Sequence, residues 1–98
     1  MSGYDALIET LNNLAPDMRR KGVAHLFLFG SHARNEASAD SDVDLFLDFD
    51  DPRFNLFDLM DVKRLVEDQT GRSVDLMTRN SLHPRFRSDI ERSAIQVF

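Results

Sequence analysis

A chain of 98 residues with 42% hydrophobic and 30% charged content has the material for one buried core, so residues 1–98 read as a single domain without a second catalytic lobe. The net charge of -5 and the absence of cysteine argue against general nucleic-acid binding, a disulfide framework or a thiolate metal site. Met1-Ser2-Gly3-Tyr4-Asp5 lacks a signal-peptide pattern and no apolar run nears the roughly 20 residues of a membrane span, so the expected location is cytoplasmic, with no membrane partner.

In chain order, Leu7, Leu11, Leu14 and Met18 recur at helical spacing and predict one amphipathic helix over about residues 4 to 20, despite Pro16. Arg19, Arg20 and Lys21 suit the negative end of its dipole, and Gly22 a left-handed cap. Val23 to Phe29 is a short apolar run between glycines, predicting a strand buried on both faces with His25 as a packed side chain. Val43 to Phe49 alternates, placing Val43, Leu45, Leu47 and Phe49 on one face and Asp44, Phe46 and Asp48 on the other.

Asn55 is a candidate N-cap for a helix with the stripe Leu56, Leu59, Met60, Val62, Leu65 and Val66, ending at Gly71. Ser73 to Met77 predicts a third strand with Val74 and Leu76 toward the core and Asp75 pointing away. Pro84 is placed for the first turn of a last helix carrying Phe86 and Ile90, and Ile95 to Phe98 for a terminal strand or docked tail. Alternating helical and extended segments make the fold class α/β or α+β.

The chemistry concentrates in Phe29-Gly30-Ser31-His32-Ala33-Arg34, followed by Asp42-Val43-Asp44. Gly30 allows a sharp turn out of a buried strand, and Ser31 would open a helix whose first N–H groups lack intrahelical partners. Those amides, the Ser31 hydroxyl and the Arg34 guanidinium can receive phosphate oxygens. Taken alone, Gly-Ser serves equally well as a loop and N-cap.

Asp42 and Asp44, two apart on an extended chain, project from one face roughly 6.6 Å apart. Bare carboxylates so placed repel, whereas Mg²⁺ accepts a few carboxylates supplemented by water and phosphate. Asp75 adds a third if its strand neighbours the acidic one. As a pair alone, Asp42 and Asp44 also fit a solvated strand face. His32 reads as solvent-facing, and Asp48, roughly 13 Å along the strand from Asp44, is too far to share its metal. Asp50 and Asp51 read as a solvated turn, and Arg79, Arg85, Arg87 and Arg92 as a basic cluster open to a nucleotide or an acidic partner, though a solvated helix face is the first reading for each.

Gly30-Ser31, ten intervening residues, Asp42-x-Asp44 and a later strand carboxylate resemble the signature of the DNA polymerase β nucleotidyltransferase superfamily. More narrowly, GSHAR, SDVDLFLDF and GRSVDLMT resemble the minimal nucleotidyltransferase proteins, often the antitoxin half of a pair with a HEPN-domain toxin. The resemblance runs from about Phe27 to Ile95. It implies a nucleotidyltransferase fold, a small mixed sheet packed against helices, with Gly30, Ser31 and Arg34 binding the nucleotide. It further implies Asp42, Asp44 and Asp75 as catalytic and metal-binding residues, Mg²⁺ or Mn²⁺ as cofactor, and ATP as substrate. Asn35 stands where family members commonly have glycine.

The activity it implies is transfer of AMP from ATP to a hydroxyl of a partner protein, a HEPN-type toxin. Two alternatives stay open: transfer to a small-molecule hydroxyl, with an oligomer or partner completing the cleft, and an inactive antitoxin acting by contact. A homo-oligomer is compatible with each reading.

Overall fold

The computed structural model describes residues 3–33 and 42–98. The leading apolar stripe folds into two helices, α1 (Gly3–Asn13) and α2 (Ala15–Arg20). Leu14 is the joint and Pro16 sits in the first turn of α2, where a missing N–H costs no helical bond and the fixed φ suits helix entry. The expectation of one uninterrupted helix is thus corrected, while its stripe holds, since Leu7, Leu11, Leu14 and Met18 are all buried. Lys21 caps α2 in a right-handed conformation, and Gly22 follows with its N–H on the Arg19 carbonyl.

The strands β1 (Val23–Phe29), β2 (Val43–Phe49), β3 (Val74–Thr78) and β4 (Ile95–Gln96) form a mixed sheet ordered β3-β2-β1-β4. β1 is antiparallel to β2 and β4, and β2 runs parallel to β3. β1 is not buried on both faces. Leu26 and Leu28 are fully buried, whereas Phe27 and Phe29 are half-buried and His25 is exposed, its Nδ1 lying 3.4 Å from Gln96 Nε2. The strand's apolar composition hid this asymmetry because phenylalanines fill the second face. The terminal segment is both strand and docked tail: past β4, the Val97 N–H reaches the Leu26 carbonyl and the Leu26 N–H reaches that of Phe98.

A short α3 (Gly30–Ala33) follows β1, and α4 (Leu56–Thr70), after β2, begins at a reciprocal cap. The Asn55 side-chain oxygen accepts from the Phe57 and Asp58 amides, and the Asp58 carboxylate accepts from the Asn55 amide, satisfying orphan donors at the helix start. Gly71, in the left-handed conformation, closes the other end. Val62 and Val66 are buried and Leu59 and Leu65 pack beside them. Leu56 and Met60 are exposed, contrary to the expected stripe.

α5 (Arg87–Ser93) starts three residues beyond Pro84, which lies in a turn instead of the helix's first turn. The core gathers leucines of α1, valines of α4 and the alternate residues Val43, Leu45 and Leu47 on one sheet face. Among the described residues no helix is long and apolar enough to cross a membrane.

Candidate active site

The alternation of β2 separates structure from chemistry. Val43, Leu45 and Leu47 are fully buried on the helix side, so Asp44, Phe46 and Asp48 project from the other. In register with Asp44 stand Phe29 of β1 on one side and Asp75 of β3 on the other. Neighbouring strands lie about 4.8 Å apart, so the Asp44 and Asp75 carboxylates begin from adjacent positions on one face. Asp75 is therefore beside the acidic strand, as the third-carboxylate expectation requires, and it is exposed. Asp42 lies just ahead of β2 and is exposed as well. The Val43 N–H donates to the Ser73 carbonyl at 2.9 Å, tying together the openings of the two carboxylate-bearing strands.

Gly30, with φ +74°, begins α3 (Gly30–Ala33) directly after β1. A Cβ at this position would sit 2.3 Å from Asp44 Oδ2 and 3.2 Å from its Cγ. The glycine thus supplies two things, a left-handed turn and a surface against which the Asp44 carboxylate rests. α3 is seated on the core by Ala33, and His32 is buried at 6% exposure, correcting its expected solvent-facing position. The Ser31 side chain, Arg34 and Asn35 lie outside the described residues, so the phosphate-binding expectation for them rests on the sequence.

At the opposite end of the same face, Asp48 meets a different environment. Arg79 grips it with Nε and a terminal nitrogen at 2.8 and 2.9 Å and reaches Glu91 of α5 at 2.6 Å. Its guanidinium also lies 4.8 and 5.1 Å from the ring centres of Phe27 and Phe46. These two rings stack at 4.7 Å, and Phe46 is fully buried although it belongs to the acidic row. The Arg79 hydrogen bonds hold the Asp48 and Glu91 carboxyls below their ordinary values, against desolvation, and the Arg79 guanidinium is pushed up. Arg87 also binds Glu91. Arg79 and Arg87 are consequently part of the fold's second face and not solvated cations, whereas Arg85 is exposed. The partners of Arg79 lie 31 residues back and 12 residues on, so its signal was only a place in an unassigned cluster of arginines, whereas Arg87 and Glu91 are an i,i+4 pair within α5 that helix spacing alone could have shown.

Among the described residues no three His, Cys, Asp or Glu side chains converge as a ready-made metal cage. A magnesium-type site does not demand one, since Mg²⁺ commonly takes one or two protein carboxylates and completes its shell with water and substrate phosphates. Asp44 and Asp75 in register, with Asp42 at the strand opening and a glycine turn leaving room beside Asp44, fit that donor set. The sequence reading did not single out Phe29, which walls this row. Its signal is its place immediately before Gly30.

A family model described as a nucleotidyltransferase domain matches residues 11–97. The chain is 35% identical over 89 residues to a Methanocaldococcus jannaschii protein named as a candidate protein adenylyltransferase, covering 91% of this chain and 95% of that one. It is 33% identical over 78 residues to the protein adenylyltransferase MntA of Thermococcus cleftensis, covering 80% and 78%. A solved structure of a candidate minimal nucleotidyltransferase superposes with a TM-score of 0.73 at 36% identity, covering 90% of this chain and 93% of that one. At the level of fold alone, the chain also resembles one from a complex of a tri-AMPylated Shewanella oneidensis HEPN toxin with its MNT antitoxin. That match has a TM-score of 0.65 at 15% identity and covers 93% and 71% of the two chains.

Proposed function

The chain belongs to the nucleotidyltransferase domain family, and we propose that it transfers AMP from ATP to a hydroxyl on a partner protein, a HEPN-type toxin. The observation that carries this reading is the Asp44 carboxylate seated on the Gly30 turn and in register with Asp75. The names of the relatives support a protein acceptor, and the fold-level likeness to the antitoxin of a modified HEPN toxin supports its class.

In this reading the amides after Gly30, the Ser31 hydroxyl and Arg34 hold the triphosphate oxygens. Asp42, Asp44 and Asp75 would hold Mg²⁺ or Mn²⁺, which when bound neutralises charge on the phosphates and on the departing pyrophosphate. Asp75, exposed on the same face, takes the proton of the acceptor hydroxyl as that oxygen bonds the α-phosphorus. The bond from the α-phosphorus to the bridging oxygen breaks, and pyrophosphate leaves with the electron pair. The rigid register of β2 and β3 keeps the two carboxylates in place throughout, so positioning is supplied before substrate arrives.

The test is intact-mass measurement of a co-expressed HEPN protein incubated with this chain and ATP, with Mg²⁺ and with EDTA. The expected result is a gain of one or more AMP units only with Mg²⁺. An unchanged HEPN mass under both conditions would remove this acceptor, and AMP addition in EDTA would remove the metal.

A further inference from the structure

The far end of the sheet carries an apolar surface that the core does not use. Leu56 and Phe57 in the first turn of α4 are 67% and 81% exposed, and Met60 and Phe49 are 49% and 41% exposed. At about 200 Å² for a large side chain, these four leave on the order of 450 Å² of apolar surface in one patch, as large as the functional patches of typical monomers. The patch has relief. Phe49, Phe54, Leu56 and Leu59 line a groove of about 300 Å³ whose polar wall is Thr78 and Asn80. Phe57, on the neighbouring side of the same helical turn, stands out beside it as a knob. The reciprocal cap at Asn55 and Asp58 and the stacked rings of Phe49 and Phe54, 5.0 Å apart, hold both features in place.

We propose that this face pairs the chain with a second copy of itself about a two-fold axis, each Phe57 entering the other copy's groove. A knob and a hole side by side on one surface are what an isologous contact requires, because the same patch must complement itself. The charges around it agree. The charges that neighbour it in the chain are of both signs, Asp50, Asp51, Asp58 and Asp61 with Arg53, Lys63 and Arg64, a mixture that a copy can match, whereas charges of one sign would repel a copy and call for an oppositely charged partner. The area agrees too. Two such patches supply about 900 Å² before any flanking residue is counted, the size of a weak and concentration-dependent dimer rather than a permanent one. Phe49 is five residues along β2 from Asp44, roughly 16 Å, so the pairing leaves the carboxylate row open.

Sedimentation velocity of the chain alone, over a concentration series, tests the proposal. The wild type should sediment as a dimer at the upper concentrations, and Phe57→Asp as a monomer with unchanged melting temperature and circular dichroism. A second measurement leaves Phe57 in place: hydrogen exchange of the wild type should slow across the first turns of α4 as the concentration rises through the dimerisation range. A wild type that stays monomeric throughout, a Phe57→Asp variant that remains dimeric, or α4 exchange that does not change with concentration would overturn the pairing. If the monomeric wild type instead buries Phe57 on adding a co-expressed HEPN protein, seen as loss of hydrogen exchange in α4, the occupant is that partner and the proposal fails. None of these outcomes depends on nucleotide transfer.

Discussion

Asp44 and Asp48 are the same residue type on the same strand and the same face, separated by one full aromatic position, yet the fold treats them differently. Asp48 is enclosed by a forked Arg79 that also binds Glu91 and covers the Phe27 and Phe46 rings. Asp44 rests against a glycine and faces another carboxylate in register. Charge neutralised inside the protein serves cohesion, because the pair and its rings form a lid over an otherwise open sheet face. Two carboxylates placed side by side do not improve cohesion, since they repel unless a cation joins them. In the reading proposed above, the Asp44 end is where a bound cation joins neighbouring carboxylates, while the Asp48 end is joined by the protein's own arginine.

The largest effects should come from exchanging the two positions as test sites. Asp44→Asn is expected to lower AMP transfer on the order of a thousand-fold, comparable to losing a principal transition-state charge stabiliser, with little change in melting temperature. Asp48→Asn should do the reverse, leaving transfer within a few-fold and costing roughly 1–2 kcal/mol of stability as the charge-assisted fork is lost. A labelled-ATP transfer assay and thermal melts on both variants give the comparison. Equal losses of activity at the two positions would erase the distinction between the ends of the row.

Gly30→Ala should act next most strongly and on both quantities. The left-handed backbone costs a residue with a Cβ about 1–2 kcal/mol, and the new methyl must displace the Asp44 carboxylate from its 2.3 Å overlap with the ideal Cβ position. Stability should therefore fall by about that amount and transfer by more than the stability loss accounts for. An active Gly30→Ala protein with wild-type kinetics would show that the seat beneath Asp44 has no catalytic importance.

Much of this arrangement is legible in the sequence because it rests on local period. The spacing of Leu7, Leu11, Leu14 and Met18 marks a buried helical stripe whether or not Leu14 breaks it into two helices. The alternation from Val43 to Phe49 assigns Asp44 and Asp48 to one face without any knowledge of neighbours. Asn55 and Gly71 are read correctly as caps because their chemistry is local too. The register of Asp44 with Asp75 and the 31-residue reach from Asp48 to Arg79 depend on which strands adjoin and where a turn deposits a side chain. The same holds for His32, whose burial follows from how α3 seats on the core. The exposed Leu56 and Met60 escaped because a helix can meet the period of a buried stripe and still extend past the edge of the sheet it packs on.

The smallest expected effect concerns acid. Asp48 and Glu91 are held below their ordinary values of 3.8 and 4.5 chiefly by hydrogen bonds from Arg79. The folded state therefore favours their ionised forms, and the unfolded chain binds more protons in the interval between the folded and unfolded values. Stability contributed by the pair is complete above the unfolded values and is lost as pH falls through the folded ones, placing the window below about pH 4.5. Arg79→Met keeps a flexible hydrocarbon over Phe46 while removing the donor, so melting temperatures of this variant should fall less steeply than those of the wild type as pH drops from about 5 to about 3. The slope should not vanish, because Asp51 is lowered independently by its bonds to Arg53 and keeps titrating in both proteins. The difference between the two slopes, and not either slope alone, isolates the Asp48 end of the row. It should be small, since these carboxylates are only part-buried and are still screened by water and salt. Identical slopes would mean that Arg79 acts through ring packing, with its carboxylate bonds adding no pH-dependent stability.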